Sequence, residues 1–128
     1  MNNWIKLFCV FSLFALNSGA FAQELDVQQL IGEWKVDLRP SPDAEPYFQK
    51  LIITEVNGQS FKGTFYYDSE IIHAALNLEW GVITLAFVTQ DNSGFYNSAA
   101  HIIDGKLRGT THSIGRDFVS VWSAEKVN

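Results

Sequence analysis

Two dipeptides, Asn57-Gly58 and Asp104-Gly105, narrow the folds open to this chain more than any other feature, because each joins two runs in which apolar and polar residues alternate. A two-residue hairpin turn of type I′ needs positive φ at both central positions, which Asn-Gly and Asp-Gly accept at little steric cost. The same period of two begins at Gly32, where Gly32, Trp34, Val36 and Leu38 alternate with Glu33, Lys35, Asp37 and Arg39. That is the pattern of a strand with one dry and one wet face. RPSPDAEP follows, and its three prolines make it a loop, since proline cannot donate to a ladder. Beyond it the pattern predicts strands over 47–56, 59–67, 71–79, 82–90, 95–103, 106–113 and 117–127, with no helical period between them. Residues 25–31 suit a short helical turn ahead of the first strand. Eight strands in simple succession predict an all-β chain, an eight-stranded antiparallel up-and-down β-barrel with a short N-terminal helical turn. Closure is favoured because it leaves no exposed edge. A two-sheet sandwich is the alternative, and the absence of a long crossover counts against it.

The beginning of the chain has a different character. MNNWIKLFCVFSLFALNSGAFA carries one lysine, an apolar run over residues 7–16 and a small-residue end at Ala20-Phe21-Ala22. This three-part order predicts a secretory signal peptide over residues 1–22, cleaved near Ala22, and a single domain over 23–128 in a secreted or periplasmic protein. The apolar run is short for a membrane span, so no membrane span is expected. The only cysteine, Cys9, falls in the signal, leaving the domain without a disulfide and dependent on core burial. The formal net charge is −5, with no Lys/Arg cluster, which argues against nucleic acid as a partner.

Counting pairs outward from each turn predicts the buried faces. From Asn57-Gly58, Thr54 faces Phe61, Ile52 faces Gly63, Lys50 faces Phe65 and Phe48 faces Tyr67, and this aromatic set is expected inside. From Asp104-Gly105, Ile102 faces Leu107, Ala100 faces Gly109, Ser98 faces Thr111 and Tyr96 faces Ser113, again inside. His101, Arg108, Asn97 and His112 then point out. The inner face of the last hairpin thus runs from apolar to hydroxyl-bearing, which a barrel filled only for stability would avoid. Small hydroxyl residues leave room and offer hydrogen bonds to a ligand. In a meander, RPSPDAEP, DSE, DNSG and IGRD gather at one end, with Arg39, Asp43, Asp68, Asp91, Arg116 and Asp117. Binding commonly lives on loops held by a rigid scaffold, so that end is the expected mouth.

Catalytic and metal readings find little support. In GTTHSIGRDF, Ser113 and His112 are neighbours on a strand and point to opposite faces, so they cannot act as nucleophile and base. Arg116 and Asp117 are expected to pair with neighbouring loops, with Asp91 or Arg39 as candidates. His73, His101 and His112 lack zinc-ligand spacing, and DNSG is too short for a calcium loop. Carboxylates at the mouth, Asp68, Asp91 and Asp117, read as turn formers rather than a hydrolytic pair. No catalytic residue, metal ligand or cofactor is therefore assigned. Trp34, Trp80 and Trp122 are expected to pack in the core, although the pattern leaves open which face of the last strand is inner.

At LIGEW, with Gly32 and Trp34 on the first strand after a helical lead-in, the chain resembles the lipocalin and wider calycin families, and its length and meander look like the avidin branch. It lacks the cysteine pair of small periplasmic barrel inhibitors and avidin's biotin-contacting residues. The resemblance implies a binder. Tyr67, Tyr96, Ser98, Thr111 and Ser113 are the expected lining of a site for a small, partly apolar ligand at the mouth, with Arg39 and Arg116 as charge partners. The alternative is an inhibitor or partner-binding protein with a filled barrel, acting through its loops. An enzyme using Asp91, His112 and Asp117 is the weakest reading, because no pair is set by spacing.

Overall fold

The computed structural model describes residues 25–128, so the expected signal peptide lies outside the described residues. Near the start of the described residues the Asp26 carboxylate accepts from Gln28 N at 3.0 Å and caps a 3₁₀ turn, Val27–Leu30. Nine strands follow: β1 (Gly32–Asp37), β2 (Phe48–Asn57), β3 (Ser60–Phe65), β4 (Ser69–Glu70), β5 (His73–Asn77), β6 (Thr84–Asp91), β7 (Gly94–Ile103), β8 (Lys106–Ser113) and β9 (Phe118–Lys126). All pair antiparallel in one sheet of order β4-β3-β2-β1-β9-β8-β7-β6-β5. The chain is therefore all-β, and its first and last strands pair as a closing meander requires, Trp34 with Lys126 through Asp37 with Ser123.

The count of eight and the closed ladder are where expectation and structure part. The predicted third strand stops at Phe65, because Tyr66, Tyr67 and Asp68 all take left-handed φ of 60°, 53° and 59°. A left-handed run cannot continue a ladder, so the chain restarts as the two-residue β4 and again as β5. Between the segments 59–65 and 71–77, which carry β3 and β5, there is no ladder, only single bonds: Ile71 N to Gly63 O and Leu76 N to Gln59 O, both 2.9 Å, and Ser60 Oγ to Ala74 O at 3.0 Å. The sheet is accordingly not closed into a barrel.

Register followed the turns unevenly. At Asp104-Gly105 both residues have positive φ, and every predicted pair of β7 and β8 is present, Ile102 with Leu107 through Tyr96 with Ser113. At the other hairpin Asn57 pairs with Ser60, so the loop is Gly58-Gln59 and only Gly58 has positive φ. A bulge between Ile53 and Glu55 shifts the ladder again, placing Leu51 opposite Phe65 and Ile53 opposite Gly63. A slip of one residue turns a strand over. Leu51 and Ile53 are buried, whereas Phe48, Lys50 and Thr54 are exposed and Ile52 is half-buried, which corrects the predicted inner face of that strand.

The core is apolar at the end that carries the 3₁₀ turn. Leu30, Trp34, Val36, Leu51, Ile53, Leu85 and Leu107 are at most 1 % exposed, and Trp34 Nε1 donates to Leu30 O at 2.9 Å, tying the turn over that end. Toward the other end aromatic rings take over: Phe65 packs edge-on to Phe87, centroids 5.3 Å apart, and tilted against Trp122 at 5.7 Å. Trp122 is inward and lies across Gly109, where an added Cβ would sit 2.5 Å from its Cζ2. Trp80, by contrast, is 82 % exposed in the β5–β6 connection and takes no part in the core. Truncating Trp34 to alanine removes the largest fully buried side chain. It should cost about 3–5 kcal/mol, read as a lowered urea midpoint at unchanged slope.

Candidate functional site

At the end opposite the 3₁₀ turn, alternation carries the inner faces of β6, β7 and β8 past the apolar core to Thr89, Ser98, Thr111 and Ser113, all buried. They are not equivalent. Thr111 is a hub: its Oγ1 accepts from Trp122 Nε1 at 2.9 Å and lies 2.7 Å from Ser98 Oγ. Ser113 Oγ accepts from Arg116 N at 3.1 Å, holding the β8–β9 turn. Among the described residues, every polar side-chain atom fully shut off from solvent has a hydrogen-bond partner. Thr89 has no side-chain hydrogen bond among the described residues, and it lines a cavity of about 700 Å³ that opens at this end. That volume lies within the usual range for small-ligand sites.

Phe65 and Trp122 give the cavity apolar walls, and Thr89, Thr111, Tyr96 and Ser120 give it hydroxyls. Its rim comes from the loops expected at the mouth, with Arg39, Ser69, Asp91 and Arg116 among the lining residues. Two of these loops are locked to each other. Ile114 N donates to Phe95 O at 3.0 Å, and a Cβ at Gly115 would fall 1.5 Å from Ser93 O, so only glycine permits this approach of the β8–β9 turn to the β6–β7 turn. Tyr66 forms part of the opposite wall. Its hydroxyl is 2.9 Å from that of Tyr47, which lies 3.4 Å from that of Tyr67. This bond to Tyr47 raises the Tyr67 phenol above its ordinary pKa.

Charge at the rim is partly committed. Arg39 Nε donates to Asp37 Oδ2 at 2.8 Å, and this bond holds the Asp37 carboxyl below the usual carboxylate range. Asp91 accepts from Tyr96 OH and Ser93 N, each at 2.8 Å. Arg116 pairs with neither Asp91 nor any other acid among the described residues; its guanidinium lies 5.4 Å from the Phe118 ring centre. The expected loop-to-loop ion pairs are therefore replaced by a local one, Asp37 with Arg39. Two residues apart at the end of β1, those side chains meet without any help from the fold.

Of the residues proposed from sequence, Tyr96, Thr111, Arg39 and Arg116 line the cavity. Ser98 and Ser113 stand behind it, supporting Thr111 and the turn. Tyr67 is 70 % exposed and points away, because the left-handed turn puts Tyr66 into the wall in its place. Sequence reasoning missed Thr89, although counting across the DNSG turn places it opposite Tyr96. Among the described residues no cluster of three metal-ligating side chains occurs. No helix there is long and apolar enough to cross a membrane. No family model, curated protein or solved structure matches this chain.

The two threonines separate support from exposure. Thr111→Val leaves the buried Trp122 N–H and Ser98 hydroxyl without their partner and should cost about 1–3 kcal/mol, whereas Thr89→Val should change stability by less than about 1 kcal/mol. Parallel denaturant titrations of the two variants check the difference.

Proposed function

We propose that this chain is a binding protein of lipocalin-like type, secreted or periplasmic, whose sheet curls into a barrel-like wall around a small, partly apolar ligand. The reading rests above all on the cavity. An alternative protein that works through its loops alone would have a filled interior, whereas here space remains above Phe65 and Trp122, beside the Thr89 hydroxyl, which has no side-chain hydrogen bond among the described residues. Apolar walls supply affinity, and a few convergent hydroxyls set orientation. The glycine-locked turns on one side and the tyrosine cluster on the other support a mostly prebuilt mouth. Such a site loses little to ordering when it binds. The expected secretory signal peptide fits a protein that meets its ligand outside the cytoplasm.

Ser120 is the place to test this. Its side chain lies on the inner face of β9 and lines the cavity. The dye 1-anilinonaphthalene-8-sulfonate should bind the native protein at one saturable site and quench tryptophan emission. Ser120→Phe should fill the space and weaken that binding at least tenfold at unchanged far-ultraviolet circular dichroism. Absence of saturable binding by the native protein would overturn the reading.

A further inference from the structure

One wall of the cavity is not made of side chains alone. Residues 118–123 of β9 line it in unbroken succession, including Val119 and Val121, which are 64 % and 71 % exposed on the outer face. A cavity that touches six consecutive residues of a strand, inward- and outward-facing alike, runs along that strand's edge. The ladder explains why the edge is open. Val127 N donates to Glu33 O at 2.9 Å, and Lys35 pairs with Glu125 and Asp37 with Ser123. In an antiparallel strand, alternate residues turn both N–H and C=O to the same side. Counting on by twos, Val121 and Val119 offer their backbone groups to the β1 side, and there β1 has already ended.

The chain across the gap does not cover them. Leu38 N goes to Tyr47 O, Arg39 N goes to the Asp37 side chain at 3.0 Å, and Pro40 and Pro42 have no N–H. No backbone bond crosses from residues 38–42 to Val119 or Val121 among the described residues. Edges are usually blunted by lysine, proline or a bulge. Residues 118–124 contain no charge and no proline. Residues 37–42 line the same slot. Arginines without an ion-pair partner among the described residues mark its two ends. Arg108 lies opposite Ser123, and Arg116 lies beside Phe118.

We infer that the slot takes a short extended peptide as an added strand on β9. Its backbone bonds to Val119 and Val121, one apolar side chain turns inward onto Phe65 and Trp122, and acidic groups toward its ends meet Arg108 and Arg116. Strand addition of this kind draws affinity from the main chain and specificity from alternate side chains. Six residues of β9 span about 17 Å at roughly 3.4 Å per step, so the peptide is about five or six residues long. The inference rests on the proposed function and names the class of ligand for the same cavity.

The test captures ligands from an equimolar pool of hexapeptides, acetylated and amidated at their ends, on the immobilised protein. The pool should yield sequences with one large apolar residue and acids near the ends. N-methylation along the best peptide should weaken binding about tenfold or more at every second position and little at the others. Hydrogen exchange at the Val119 and Val121 amides should slow when that peptide is bound. Val121→Pro removes a donor from the open side and none from the β8 side, so it should abolish peptide capture at unchanged far-ultraviolet circular dichroism. If the dye enters the cavity but no hexapeptide is enriched, or if N-methylation shows no alternation, the peptide inference falls and the pocket stands. If neither binds, both fall.

Discussion

The contact of Trp122 with Gly109 organises the interior. A side chain at position 109 would collide with the indole, so the missing Cβ lets the ring lie flat against the β8 backbone. From there its N–H reaches Thr111, one inward position closer to the mouth, and its ring packs against Phe65 of β3 across the interior. One ring therefore closes the apolar core and begins the polar one. Below it, burial is of the ordinary aliphatic kind. Above it, the hydroxyls would lack partners if the indole and Ser98 did not supply them. The cavity opens over this arrangement, with Trp122, Thr111 and Thr89 all in its lining.

Much of this was legible in the sequence, and the failures have local causes. The Asp104-Gly105 hairpin was read correctly because both residues adopt the positive φ that their types favour, and counting from it placed Ser98, Thr111 and Ser113 inside. Asn57-Gly58 looked equivalent, but Asn57 joined the ladder, a bulge followed, and the inner face of β2 inverted. Nothing in a propensity scale distinguishes these two dipeptides, because the packing of Leu51 and Ile53 decides between registers. The break at Tyr66 was equally hidden, since Tyr-Tyr reads as strand and a left-handed tyrosine pair is rare.

At the site, the sequence located the right end of the molecule and some of the right residues. Thr89 was within reach of the same counting that found Tyr96. The openness of β9 was not, because it depends on where β1 stops, and Asp37 contributes to that end by capturing the Arg39 amide and guanidinium. The prolines of RPSPDAEP were recognised as a loop, yet their larger effect falls on another strand altogether, whose edge they leave bare.

The left-handed run Tyr66-Tyr67-Asp68 has a thermodynamic side. Side-chain-bearing residues in this conformation cost roughly 1–2 kcal/mol each, and a domain's entire margin is commonly only about 5–15 kcal/mol. Tyrosine rings stacked edge to face and hydroxyls in contact recover part of that cost. The entrance is thus a loaded spring whose latch is aromatic. The same three peptide units that shape the opening also draw down the molecule's reserve against heat.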